Sequence, residues 1–204
     1  MEPAHIALRR LIDGNQRFIN GDRTVLHKLE EMGLQEMAKG QTPFAAVIAC
    51  ADSRVPVEIV FDQGLGDVFV VRVAGNIAAH TQIASIEYAV SVLGVRLVLV
   101  LGHSFCGAVT AALNEQLNPS AGLSPAIQAL LKRIQPSVEH VLSGNQDMNM
   151  DEVLETVIRE NVARVVKELT GNSEILDSLV KSGQIEILGA VYDIASGEVL
   201  FSEP

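Results

Sequence analysis

The sequence predicts an α/β fold with a mostly parallel central β-sheet flanked by helices, closed by a C-terminal edge hairpin and preceded by an N-terminal helical arm. Three observations point there. Short runs of Val, Ile, Leu and Ala recur without polar alternation, at residues 44–50, 68–73 and 96–101, as strands buried on both faces do. Segments with helical spacing of apolar residues lie between them, the pattern of strand–helix–strand units. Two of these runs lead directly into side chains with chemistry, Cys50 and His103, at the carboxyl edge where such sheets bind ligands.

Composition bounds the rest. The 204 residues suit one domain, and 48% hydrophobic against 20% charged residues is enough to bury a sizeable core. Trp is absent and aromatics make up 4%, so the core is aliphatic. The formal charge is −10, from 15 basic and 25 acidic side chains, and no basic stripe appears. That argues against nucleic acid and anionic membranes as partners. No apolar run approaches the ~20 residues that span a bilayer. The N-terminal stretch carries Glu2, Arg9, Arg10 and Asp13 and lacks a signal-peptide core, so the expected location is cytoplasmic.

In chain order, Pro3–Asn20 has an amphipathic stripe (Ile6, Leu8, Leu11, Ile12, Phe18, Ile19) with Gly21 as its stop. A second helix is expected over Leu26–Lys39, and Gln41-Thr-Pro43 turns into the first strand. Residues 55–62 are short and apolar, 63–66 a turn, and Val68–Val73 the second strand, broken at Ala74-Gly-Asn76. A helix follows over His80–Leu93, then the third strand over Arg96–Leu101 and a helix over Cys106–Leu117. Leu123–Leu142 is helical with a kink or break expected at Pro136. Asp151–Leu169 has the clearest helical stripe, and Ser173–Lys181 is a shorter helix. Gln184–Ile194 and Glu198–Phe201 form a hairpin across Ala195-Ser-Gly197. With no repeat or linker, residues 1–204 form a single domain.

The chain has two cysteines, and each stands just beyond an apolar run, with His103 three residues before Cys106. In a reducing compartment two Cys beside a His point to metal or catalysis rather than to a disulfide. Cys50, His103 and Cys106 suit zinc, and three protein ligands leave a fourth place open, as catalytic zinc sites do. Asp52, two residues from Cys50, lies on the same side of an extended chain, and Arg54 is placed to hold its carboxylate bidentately. Asp52 can orient a zinc-bound water or ligate the metal itself in a closed state. Two thiolates cancel the charge of zinc, so this metal acidifies water less than one held by three imidazoles, and an extra acceptor is useful.

These residues, Cys50-Ala-Asp52-Ser-Arg54, with VFVVRVAGN (68–76), IEYAV (86–90) and GHSFCGAV (102–109), closely resemble the β-class carbonic anhydrases over nearly the whole chain. The resemblance implies reversible hydration of carbon dioxide to bicarbonate by a hydroxide generated on zinc, one ion per subunit. It implies Cys50, His103 and Cys106 as ligands and Asp52 and Arg54 as the catalytic dyad. Gln41 and Gly107 match the donors to bound substrate, and Phe69 and Tyr88 match aromatics of an apolar pocket that a partner subunit contributes. The family forms homodimers, often paired into homotetramers, with the N-terminal arm (here residues 1–40) across the neighbour. Some members hold a regulatory bicarbonate with a Trp, an Arg and a Tyr; Arg72 and Tyr192 match two of these, and Val47 departs from the third. His5, His27, His80 and His140 are available as proton shuttles, and nothing in the sequence selects among them.

Three other readings compete. A carbonyl sulfide or carbon disulfide hydrolase would share ligands and dyad and differ in pocket shape. A non-catalytic zinc-stabilised oligomer would not need Asp52, Arg54 or Gln41, which are present. A redox dithiol protein would pair Cys50 with Cys106.

Overall fold

The computed structural model describes residues 2–24, 38–119, 122–144 and 148–202. Its strands are β1 (Ala45–Ala49), β2 (Val68–Arg72), β3 (Leu97–His103), β4 (Glu186–Tyr192) and β5 (Val199–Phe201), in the sheet order β2-β1-β3-β4-β5. The first four are parallel and β5 returns antiparallel on β4, as the edge hairpin requires. The helices are α1 (Ala4–Asn20), α2 (Val57–Val60), α3 (His80–Ser91), α4 (Gly107–Leu117), α5 (Pro125–Gly144), α6 (Met150–Gly171) and α7 (Glu174–Lys181).

Successive side chains of a strand point to opposite faces, and here both faces are covered. Ala45, Val47 and Ala49 join Leu97, Leu99 and Leu101 beneath Ala7 and Leu11 of α1 and Val57 and Val60 of α2. Ala46, Ile48, Val98 and Val100 point the other way, onto Ile83 and Ile86 of α3 and Val162, Val165 and Leu169 of α6. This two-sided burial is why the strand sequences lack polar alternation. Two glycines let α6 approach closely: a Cβ on Gly102 or Gly189 would lie 2.6 or 2.7 Å from a Val162 methyl. A third cluster, with Ile134 of α5, Val157 and Ile158 of α6 and Val109 of α4, packs around Cys50 and Cys106.

Most predicted elements are observed within a residue or two. Gly21 stops α1 in the left-handed region, φ 80°. β3 runs two residues past its predicted end, because β4 continues to offer partners: Gly102 pairs with Val191 and His103 with Tyr192. The break allowed at Pro136 does not occur, and α5 continues through it. α6 begins on a capping box of Asn149 and Glu152, and α7 on Ser173. The helix expected at Leu26–Lys39 lies outside the described residues, apart from 38–39 in a turn.

Residues 4–20 of the arm use their buried stripe within the chain. Ala7 and Leu11 are fully buried on the sheet, and Arg17 pairs with buried Asp62 at 2.6 Å. An arm across a partner would therefore have to use other surfaces, such as exposed Ile6 and Ile19. Asn15 ties α1 to the end of α2 and to the C-terminal hairpin: its Nδ2 donates to Val60 O (3.1 Å) and Gly197 O (2.9 Å), and its Oδ1 accepts from Val199 N (3.0 Å). Asn15→Ala leaves three buried backbone groups unpaired. The expected loss is about 2–4 kcal/mol, read from the urea midpoint at fixed protein concentration; a loss under about 0.5 kcal/mol would contradict this role.

Candidate active site

Parallel pairing of β1 with β3 sets two carboxyl ends side by side, with Ala49 opposite Leu101. From β1 the chain returns through β2 on one side, whereas β3 leads to β4 on the other, so the crevice between these ends is the topological switch point of the sheet. Cys50 directly follows β1, His103 is the last residue of β3, and Cys106 precedes the first turn of α4. All three are buried, and their ligand atoms lie within 4.8 Å of one another.

The local folding that aims them is specific. Ser104 closes the end of β3 onto β4: its N–H donates to Tyr192 O, and its hydroxyl accepts from Ile194 N. His103 Nδ1 bonds Ser104 O at 2.9 Å, which requires the proton on Nδ1 and leaves the Nε2 lone pair free. Among the described residues that Nε2 is buried without a hydrogen-bond partner, and it lies 3.9 Å from Asp52 Oδ2. Phe105 turns with φ 57°, and Cys106 then stands at the amino end of α4, where unpaired backbone N–H groups favour negative charge. An unpartnered imidazole nitrogen facing two thiols fits a tetrahedral metal with sulfur and nitrogen ligands.

The sulfurs of Cys50 and Cys106 are 4.0 Å apart and share hydrogen-bonding capacity. Either sulfur can donate to the other, and the Gly75 N–H bond to Cys50 Sγ at 3.3 Å favours Cys50 as the acceptor. The Cys50 thiol is thereby pulled down to about 4 against the cost of its burial. Cys106, as the buried donor of the pair, is pushed up from the ordinary thiol range.

Asp52 and Arg54 form the fork the sequence implied. Arg54 Nε and Nη2 reach Asp52 Oδ1 and Oδ2 at 2.9 and 2.7 Å, and Arg54 N donates to Oδ1 at 2.9 Å. The guanidinium bonds hold the Asp52 carboxyl well below the usual carboxylate range, so it is an acceptor throughout the neutral range. Arg54 is steadied in turn by the carbonyl of Phe105 at 3.3 Å. Behind this turn, Arg72 donates to the carbonyls of both Cys50 and Asp52.

The remaining predicted residues divide by position. Gly107 opens α4 beside Cys106; a Cβ there would meet nothing within 4 Å among the described residues, so packing against them does not explain the glycine. Gln41 is exposed and precedes β1, at the amino edge of the sheet, whereas Cys50 follows β1 at the carboxyl edge. β1 alone spans roughly 16 Å, so Gln41 does not reach the cluster of its own chain. Phe69 and Tyr88 pack together with ring centroids 6.3 Å apart, on β2 and the last turns of α3, and Tyr88 is half-exposed. Val47 is fully buried in β1, and Tyr192 is buried beside His103 in the register of β3 with β4.

Sequence reasoning read Ala74-Gly-Asn76 as a strand break and as part of a family motif, and passed over Gly75 as a donor to sulfur. It also passed over Asn161, whose Nδ2 holds Gly75 O at 3.0 Å. The available signal was a polar residue three positions after Ile158 on the buried stripe of α6.

A family model described as carbonic anhydrase matches residues 45–199, more than half of the chain. Carbonic anhydrase 2 of Mycobacterium tuberculosis is 37% identical over 97% of this chain and 92% of its own length. The β-carbonic anhydrase CcaA superposes with a TM-score of 0.76 at 28% identity, over 96% of this chain and 95% of that one. One of two tetrameric β-carbonic anhydrases from Sordaria macrospora superposes with a TM-score of 0.72 at 28% identity, over 87% and 89%. The fold and cluster thus define an α/β protein with a Cys–His–Cys site able to hold a metal. The chain belongs to the β-class carbonic anhydrases.

The coupled thiols yield a prediction for the metal-free protein. Because the Cys50 pKa is lowered, its thiolate persists from neutral pH down to about 4, while Cys106 stays protonated. An acid titration followed by thiolate ultraviolet absorbance is expected to lose one thiolate near pH 4. Unfolding at neutral pH should abolish the signal, since an ordinary cysteine is mostly protonated there. Loss already at neutral pH in the folded protein would contradict the coupled pair.

Proposed function

We propose that this carbonic anhydrase hydrates carbon dioxide reversibly with one zinc ion per subunit, held by Cys50, His103 and Cys106. The observation that carries this reading is the convergence of two sulfurs and a free imidazole nitrogen within 4.8 Å, with Asp52 3.9 Å from that nitrogen. When bound, zinc acts as a Lewis acid that turns water into a nucleophile near neutral pH.

The work of the chain is then to orient and to bind. Asp52, kept ionised by Arg54, would accept a hydrogen bond from a proton-bearing group at the cluster and so orient it. The Gly107 N–H, among the unpaired donors at the start of α4, and the Gln41 amide bond the oxygen on which charge develops. Phe69 and Tyr88 wall an apolar pocket for carbon dioxide. Gln41 and this aromatic pair stand away from the cluster of their own chain, so the complete site needs a partner subunit, and the protein acts as a homodimer or homotetramer. Among the described residues no helix is long and apolar enough to cross a membrane. The acidic composition and paired thiols fit a cytoplasmic workplace.

Stopped-flow carbon dioxide hydration tests both roles. Asp52→Ala is expected to lower kcat by roughly 10²-fold or more while zinc stays bound. Cys50→Ala and Gln41→Ala should each be severely impaired alone. When the two subunits are mixed and paired at random, half the dimers are hybrid and each hybrid holds one intact site. Activity should therefore return to about a quarter of the wild-type value. No hydration by the zinc-loaded wild type would sink the reading, and failure of the mixture to gain activity would overturn the shared site.

A further inference from the structure

Asn161 lies within the apolar stripe of α6, among Val157, Ile158, Val162 and Val165, and is 1% exposed. A buried amide costs free energy unless its groups are hydrogen-bonded. Its Nδ2 makes one such bond, to the carbonyl of Gly75, 86 residues away in the chain, and its Oδ1 has no partner among the described residues. A half-satisfied amide is a poor way to fill a core, so packing alone does not account for this side chain.

The residue it holds is held for a reason. Gly75 has φ 71° and Asn76 φ 43°, two successive residues in the left-handed region. A Cβ on Gly75 would lie 2.6 Å from Ile134 Cδ1 and 3.3 Å from Ala108 Cβ, so only glycine fits. Glycine is also free to rotate, and nothing in its own side chain fixes its direction. Gly75 is pinned from both sides instead: its carbonyl accepts from Asn161 Nδ2, and its N–H donates to Cys50 Sγ at 3.3 Å. The close approach of α6 over Gly102 and Gly189 puts Asn161 within reach.

We propose that Asn161 is a positioning residue of the metal site: by holding the Gly75 carbonyl it keeps the Gly75 N–H on Cys50 Sγ and so tunes that thiolate as a metal ligand. An N–H bond draws electron density from the sulfur and weakens its donation. With two thiolates in the set, this leaves the metal more Lewis-acidic than the ligand count alone implies. Outer partners of metal ligands act in this way and change metal affinity when removed. The inference rests on the reading of Cys50, His103 and Cys106 as metal ligands, and the test separates the two.

Cobalt(II) is bound in place of zinc, and the sulfur-to-cobalt charge-transfer band is recorded for the wild type, Asn161→Leu and Asn161→Ser. Zinc affinity is measured in parallel by competition with a chelator. Leu matches the size of Asn without the donor. Ser stays polar but is too short to reach Gly75, and it carries the test if Leu does not fold, which circular dichroism reports. The expected result is a band moved to longer wavelength, because the sulfur loses its N–H bond, with zinc affinity weakened roughly tenfold or more. A band that stays in place, whether affinity is kept or falls, overturns the inference, since loosened packing alone would not change the electronic state of sulfur. A wild type that develops no thiolate band falsifies the metal-site reading and takes the inference with it.

Discussion

The parallel pairing of β1 with β3 is the constraint on which the rest depends. Their register sets Ala49 opposite Leu101, so the chain leaves the sheet at two neighbouring points. Three ligand atoms from segments about fifty residues apart then meet within 4.8 Å. The ladder itself is built from residues that do nothing but pack: Val47 and Ile48 on β1, Leu99 and Val100 on β3, all fully buried. Burial of each face specifies register strongly, because a slip of one residue would turn every side chain to the other layer. The position of the cluster follows from the aliphatic core, and the chemistry is added only where the strands end.

Around that cluster the chain supplies charge in layers. The innermost groups are the two sulfurs and the imidazole. Next come Gly75 N–H on Cys50 and the amino end of α4 behind Cys106, both of which favour thiolate over thiol. Asp52 sits to one side with Arg54, whose guanidinium keeps the carboxylate ionised and turned between arginine and cluster. Arg72 is committed to the backbone carbonyls of Cys50 and Asp52, so it stiffens the same turn from behind. Hydrogen bonds aim these groups, some from neighbours in the chain (Ser104 on His103, Arg54 on Asp52) and some from distant segments (Gly75 on Cys50, Arg72 on the Cys50–Asp52 backbone), which gives a preorganised site in an otherwise apolar interior.

Much of this was legible in the sequence, for identifiable reasons. Strands buried on two faces write themselves as unbroken aliphatic runs, and Cys50 and His103 stand out because each follows such a run. The two-residue spacing of Asp52 and Arg54 made their pairing readable before any fold was known. The end of β3 was not readable, because it depends on how far β4 extends beside it. The continuity of α5 through Pro136 was equally hidden, since the packing of Ile134 and Val138 outweighs the lost backbone bond. Gly75 contributes a backbone N–H, which leaves no mark in a sequence, and Asn161 acts across 86 residues. Gln41, Phe69 and Tyr88 were found through family resemblance alone, and within one chain they stand apart from the cluster.

X-ray absorption at the zinc edge, on zinc-loaded wild type and Asp52→Ala at neutral pH, reads the metal's ligands from the metal itself. The expected outcome is one zinc per chain with two sulfurs at about 2.3 Å and one imidazole nitrogen at about 2.0 Å. The spectrum should be unchanged in Asp52→Ala, because Arg54 rather than the metal holds that carboxylate. A sulfur count other than two, or zinc bound in less than stoichiometric amount, would contradict the Cys50–His103–Cys106 site. A first shell altered by the loss of Asp52 would contradict the division of roles between carboxylate and ligands.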